Sequence, residues 1–205
     1  ELDQELVVLL TNDTIPPNSN NPYESYEEID LQAPGTVEDN TYKFEGYKIF
    51  QMRGPNDTDI SDVDRARLVV QVDIRNDVAE IYNWTPEANP LAPGDQLFLP
   101  ELRVEGADEG IRHSFKLTND AFTNQALINH KRYYYRAIAY AYNNYADFNA
   151  DTEIGQRRPY LEGRRNIQTY TVIPRPVVDR KLNSSFGQGA VITRLDGEGL
   201  GNNFI

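Results

Sequence analysis

The chain has 205 residues, 39% of them hydrophobic and 25% charged, with a formal net charge of −12 and no cysteine. That length can bury a core in one or two domains. The acidic balance repels a phosphate backbone, so nucleic acid is not an expected partner, and the missing thiols exclude thiolate zinc sites and disulfide frameworks.

No apolar run approaches the roughly 20 residues that a bilayer-spanning helix needs, so no membrane span is expected. Glu1 opens the chain and GEGLGNNFI closes it; both ends read as cuts in a longer protein. Residues 5–13, ELVVLLTND, are apolar and partly β-branched and stop at Asn and Asp, which reads as a buried strand. The Pro-, Asn- and Ser-rich stretch after it is a loop. Residues 42–52, YKFEGYKIFQM, alternate. Strict alternation puts Tyr42, Phe44, Gly46, Lys48 and Phe50 on one face and Lys43, Glu45, Tyr47, Ile49 and Gln51 on the other, the mark of a central strand.

Residues 66–74, ARLVVQVDI, form a third strand, which residues 78–84 continue as a short edge. Prolines crowd the stretch that follows, so about 83–112 reads as an insertion with one short hairpin. Residues 113–120 form a strand, and AFTNQALINH after it holds either a turn of helix or a tight corner. The run KRYYYRAIAYAYNNY, residues 131–145, carries six of the chain's 13 tyrosines. It is a long strand with Tyr133, Tyr135 and three alanines on one face and Tyr134, Arg136, Ile138, Tyr140 and Tyr142 on the other. Small residues at alternate positions suit a strand packed between layers better than an exposed platform. Each ring buries roughly 150–250 Å², and leaving them all wet works against solubility. Arg136 is expected to stack on a ring or pair with an acid. Residues 145–166 are a long loop, 167–174 a last strand, and 177–205 a linker or the start of a next module. No helical periodicity or fixed repeat occurs, and short strands between turn clusters indicate an all-β antiparallel sandwich over residues 1–176.

Several motifs bear on chemistry. His113 and His130 lack further ligands at metal-site spacing and read as strand-end residues. No nucleophile elbow or phosphate loop occurs, and no catalytic residue is assigned. Carboxylate pairs for glycoside hydrolysis meet only in space, so 32 acids leave that reading open. Calcium is the one cofactor the residues suggest. Asp147, Asn149, Asp151 and Glu153 alternate along DFNADTE, and alternate oxygens in a loop can turn toward one cation. Asp57, Asp59, Asp62 and Asp64 are a second candidate set. The bland reading of both is Asp and Asn capping their own turns. Arg157, Arg158, Arg164 and Arg165 cluster in GQRRPYLEGRRN, where they either grip an acidic partner or tie the loop to the protein's own acids.

NHKRYYYRAIAYAYNN resembles the F strand of fibronectin type III domains, and FEGYKIFQ resembles their C strand. On that likeness IQTYTVIP is strand G and ELVVLLTND strand B, with strand A missing or upstream; the usual strand-B tryptophan is absent. The wider set of SNNPYESYEEID, GIRHSFKLTNDAF and TRLDGEGLGNN resembles segments of very large exported proteins from Gram-negative bacteria that use type IX secretion. The resemblance implies an extracellular or cell-surface, non-enzymatic module with a structural, adhesion or assembly role. Its partners would be neighbouring modules or other surface proteins. The alternative expectation is a carbohydrate-binding module using exposed tyrosines and Trp84, with calcium assisting.

Overall fold

A computed structural model describes residues 2–11, 24–164 and 167–176. The chain separates into two compact units, Glu1–Arg175 and Pro176–Ile205; the linker expected at 177–205 lies outside the described residues. Twelve strands follow one another among the described residues: β1 (Leu6–Leu9), β2 (Glu27–Ile29), β3 (Thr41–Met52), β4 (Ala66–Asp73), β5 (Glu80–Ala88), β6 (Gln96–Glu105), β7 (Ser114–Leu117), β8 (Asn119–Asp120), β9 (Gln125–Ala126), β10 (Tyr133–Tyr142), β11 (Tyr160–Glu162) and β12 (Thr169–Val172). The described residues contain no α-helix, and every strand pair is antiparallel.

The two alternating aromatic runs become the centre of a six-stranded sheet. β3 pairs with β10 along nearly its whole length. β4 and β2 divide the other edge of β3, and β12 and β11 divide the other edge of β10. Facing this sheet is the pair β1–β7. Between the two layers Leu6 and Phe115 meet Ile49, Val72, Tyr133 and Tyr135, with Leu127 completing the cluster. That interleaving of side chains from two sheets is a β-sandwich core.

The tyrosine strand is packed on both faces. Tyr133, Tyr135 and Ala137 belong to the inner core. On the outer face Ile138 and Tyr134 pack with Phe50, Met52, Ala66 and the loop residue Ile60, while Tyr140 packs with Ile81, Val104 and Tyr160. Among the described residues Arg136 neither stacks on a ring nor pairs with an acid. Its Nε and Nη2 donate to Thr169 Oγ1 at 3.2 and 2.9 Å and its Nη1 to Thr58 O at 2.9 Å, so it ties β12 and the 53–65 loop to the sheet.

Strict alternation along β3 fails at one place. Tyr140 opposes Gly46 and Ala141 opposes Phe44, which leaves Glu45 as a bulge. The extra residue flips the parity, so Phe44 lies against Tyr47 at 5.0 Å between ring centroids, not on the opposite face. At Gly46 an added Cβ would stand 2.1 Å from Val72 O and 2.6 Å from the Tyr140 hydroxyl. A glycine there lets three strands close up.

The insertion differs most from expectation. Residues 78–84 are not an edge of the sheet and the hairpin is not short: β5 and β6 form one ribbon from Glu80 to Glu105. The prolines hid it. Trp84 N–H points away from β6, donating to Arg157 O at 2.8 Å, so Pro86 two positions on removes only an outward donor. Asn89 Oδ1 accepts from Leu91 N at 2.9 Å in the turn, and Gly94 supplies φ +107°. Ile81 and Val104 place the ribbon on the outer face of the sheet. Lys48, 6% exposed, reaches beneath it. The lysine Nζ donates to Arg103 O and lies 4.9 Å from the Tyr160 ring centroid and 5.4 Å from that of Tyr140.

The 145–166 stretch is likewise not all loop, because Tyr160–Glu162 pairs with Tyr140–Tyr142. Pro159 and Gly163 bracket three residues, too few for periodicity to show. AFTNQALINH holds the tight corner: β8 and β9 flank a four-residue turn. Asp120 anchors it, accepting from Gln51 Nε2 at 2.8 Å, Phe122 N at 3.0 Å and Lys131 Nζ at 2.9 Å. Burial opposes ionisation of this carboxyl, yet the hydrogen bonds from Lys131, Phe122 and Gln51 outweigh it and hold it below the usual range.

Candidate functional site

Where the ribbon meets the far end of β10, the structure forms a half-open cavity of about 250 Å³. One wall is β5, which contributes Glu80, Tyr82 and Trp84 at alternate positions; Tyr142 and Asn144 come from the end of β10; Asp147 and Phe148 close the opposite side. Two tethers fix these segments. Tyr160 N donates to Asn83 Oδ1 at 2.9 Å, with Asn83 Nδ2 returning a bond to Tyr160 O at 3.3 Å. Asn143 N donates to Pro159 O at 3.0 Å. Gln156, buried at the back, donates to Asp30 Oδ2 at 2.8 Å and to the Tyr42 hydroxyl and Arg158 O at 3.1 Å.

Aromatic rings give the cavity its shape. Trp84 leans on Phe148 with centroids 5.4 Å apart, and Phe148 meets Phe98 edge-on at 5.3 Å. Arg157 lies over Phe98 at 5.7 Å. Two of the polar groups, Glu80 and Asp147, carry carboxylates that accept from their neighbours. Tyr82 Oη donates to Glu80 Oε2 at 2.8 Å, and Asn144 Nδ2 to Asp147 Oδ1 at 2.8 Å. The bond to Glu80, ahead of burial and of the charges on Glu80 and Glu105, raises the Tyr82 phenol. Burial raises Tyr142, with the Asn144 contact opposing it. Glu80 also stands directly opposite Glu105 across the ribbon, a like-charge pair. No lysine or arginine is among the described residues that line the cavity.

The sequence candidates are divided by the fold. Trp84 and Asp147 come together here. The rest of the 147–153 set does not converge with them. Asn149 Oδ1 accepts from Asp151 N at 2.9 Å and Thr152 N at 3.0 Å, and Asn149 bridges to Ile154, which makes a tight turn with Glu153 at φ +56°. In the second loop Asp59 Oδ1 accepts from Ser61 N and Oγ at 2.9 and 2.6 Å, and Asp62 Oδ1 from Asp64 N at 2.9 Å. Both are turn-capping patterns. Among the described residues no three His, Cys, Asp or Glu side chains gather closely enough to hold a metal ion.

The arginine-rich segment also departs from expectation. Among the described residues no acid lies within ion-pair distance of Arg157, Arg158 or Arg164. Arg157 instead covers Phe98, and the Arg158 carbonyl accepts from Tyr42 Oη at 2.6 Å. Arg165 lies outside the described residues. His113, just before β7, has Nε2 2.6 Å from Glu24 Oε1. His130 turns the chain into β10 at φ +66°.

Tyr82, Tyr142, Phe148 and Glu80 were not legible as site residues. The alternate spacing of Glu80, Tyr82 and Trp84 was the one available signal, and the prolines beside it masked a strand. No protein-family model matches the chain, no curated protein matches it and no solved structure matches it.

Proposed function

We propose that this chain is a non-enzymatic β-sandwich module of an extracellular or cell-surface protein, with a structural, adhesion or assembly role. The observation that carries this reading is the double burial of the tyrosine strand. Tyr133, Tyr135 and Tyr140 are 2%, 4% and 1% exposed. The most conspicuous residues of the chain are spent on rigidity, and little of their ring area is left for a ligand. The fibronectin type III likeness is supported by pairing. The strands likened to C, F and G are β3, β10 and β12, adjacent in one sheet, while the strand likened to B pairs in the other layer. Neighbouring modules of the same long chain, or other surface proteins, are the partners this reading implies.

The test is an antibody raised against the chain, applied to intact and to permeabilised source cells. Labelling of intact cells is expected. Signal only after permeabilisation defeats the surface assignment, and turnover of a broad glycoside and ester panel defeats the non-enzymatic one.

A second reading has its own support. Trp84, Tyr82, Tyr142 and Phe148 converge on one cavity with acceptor groups beside them, which is the composition of a carbohydrate site: rings for the C–H face of a sugar, carboxylates and an amide for its hydroxyls. A glycan array tests it directly; binding by the parent and by Trp84→Ala at equal strength removes the site.

A further inference from the structure

We infer that the cavity beside Trp84 takes a single non-acidic sugar ring, the terminal residue of a glycan, end-on. This rests on the carbohydrate-binding reading above and says which sugar and which part of the chain enter.

Size decides the first point. Sites that wrap a drug-sized ligand measure roughly 300–1,000 Å³, and this one measures about 250 Å³. Its walls come from β5, from the end of β10 and from the 147–159 segment. The Trp84–Phe148 contact at 5.4 Å and the Asn83–Tyr160 pair hold two of those walls together. A half-open cavity of this size admits one ring, whereas a flat row of aromatics along an open face would follow the interior of a polysaccharide. Tyr82 and Trp84 alternate along β5, but Phe148 packs against Trp84 with centroids 5.4 Å apart, so the pair is not an open row, and Tyr133 and Tyr135 are buried in the sandwich core.

Charge decides the second point. Glu80 and Asp147 line the cavity and Glu105 stands opposite Glu80, with no lysine or arginine among the described lining residues. Ionised carboxylates only accept hydrogen bonds. Hydroxyl and amide donors of a neutral sugar satisfy them, while a uronate or sulfate would bring a further negative charge into a partly desolvated space. An amino sugar is compatible with the same field.

The experiment uses the whole chain, whose only tryptophan is Trp84. Its fluorescence is followed while neutral methyl glycosides (glucoside, galactoside, mannoside and N-acetylglucosaminide) and the matching methyl glucuronide and galacturonide are titrated in. At least one neutral glycoside is expected to shift the emission, with its uronide about tenfold weaker or more. Glu80→Gln and Asp147→Asn should narrow that gap. Phe148→Leu should weaken the neutral ligand, while Asp59→Asn, in the remote loop, should not. Calorimetry on the same variants gives a readout independent of the tryptophan. Equal binding of uronide and neutral glycoside overturns the charge argument. Affinity that climbs more than tenfold from disaccharide to hexasaccharide overturns end-on entry but keeps the carbohydrate reading. Silence across both the titrations and a glycan array overturns both.

Discussion

The two faces of the central sheet are built differently, although the same two strands supply both. On the inner face Ile49, Val72 and Tyr135 meet Leu6, Phe115 and Leu127 in an apolar layer. On the outer face, under the β5–β6 ribbon, Tyr140, Tyr160, Ile81 and Val104 share their space with a lysine. Burial, with help from Arg103 and against Glu162, pushes Lys48 down to about 8. The inner face therefore gains from nearly everything it removes from water, the Tyr135 hydroxyl excepted, which finds no partner among the described residues, while the outer face gives back part of its gain to hold a charge away from solvent. The inner layer contributes most to stability; the lysine makes the outer layer respond to pH near 8.

That contrast can be broken or sharpened by experiment. The largest effect belongs to Gly46→Val, which drives atoms into Val72 O and the Tyr140 ring and separates the strands that carry both faces. Loss of the folded state is expected, read as loss of the cooperative melt. Next, Leu127→Ala empties a fully buried position of the inner core and should cost about 2–5 kcal/mol in urea unfolding. Ile81→Ala removes a side chain of similar size from beneath the ribbon. It should open β5–β6 amides to hydrogen exchange while β1 and β7 keep their protection. If both variants loosen the whole molecule equally, the two faces act as one cooperative core and the contrast fails.

Lys48→Met comes third. A base whose folded value lies below its unfolded one binds fewer protons when folded, so native stability rises with pH from about 8 toward 10.5. Above 10 the buried phenols of Tyr42, Tyr135, Tyr140 and Tyr160, raised chiefly by burial, act the other way, because unfolding lets them ionise. The parent should therefore gain stability between pH 8 and 10 and lose it beyond. The methionine variant should show no gain in that window and should be at least as stable as the parent at pH 7. A less stable variant at pH 7 would mean that the ring and carbonyl contacts of the ammonium exceed its desolvation.

Glu45 gives a smaller effect of opposite sense. This bulge residue is 2% exposed; its Oε2 accepts from Asn76 Nδ2 at 2.9 Å and its Oε1 has no partner among the described residues. Burial raises it to about 7; Asp73 and Asp108 add to the rise and the Asn76 bond opposes it. The folded state binds the extra proton, so stability should fall as pH rises from 4.5 to 7, and Glu45→Gln should flatten that slope. The smallest effect concerns calcium. Because Asn149, Asp59 and Asp62 spend their oxygens on their own turns, millimolar calcium should leave the melting temperature unchanged. A clear rise would show that one of these loops rearranges around the ion.

Much of the sheet was legible because strands announce themselves locally. Thr41–Met52, Ala66–Asp73 and Tyr133–Tyr142 alternate over several residues and are rich in β-branched or aromatic side chains. Three-residue strands do not announce themselves: Glu27–Ile29 and Tyr160–Glu162 form because a long neighbour offers an edge, not because of anything in their own pattern. The ribbon was obscured for a different reason. Pro86 and Pro100 argue against a strand in any interior position, and only the open edges of a two-stranded pair make them harmless. Of the candidate site, Trp84 and Asp147 could be singled out by residue type, but not that they would meet.

By itself the sequence determined the class of fold and the burial of Tyr133, Tyr135 and Tyr140, since side-chain alternation with period two is a property of each strand alone and the balance of large and small residues says whether a face is covered. Tertiary structure decided what covers the outer face, where the lysine goes, and which rings gather around Trp84. Those depend on a ribbon folding back over a sheet, and proximity across such distances along the chain leaves no periodic trace in the residues that come to share it.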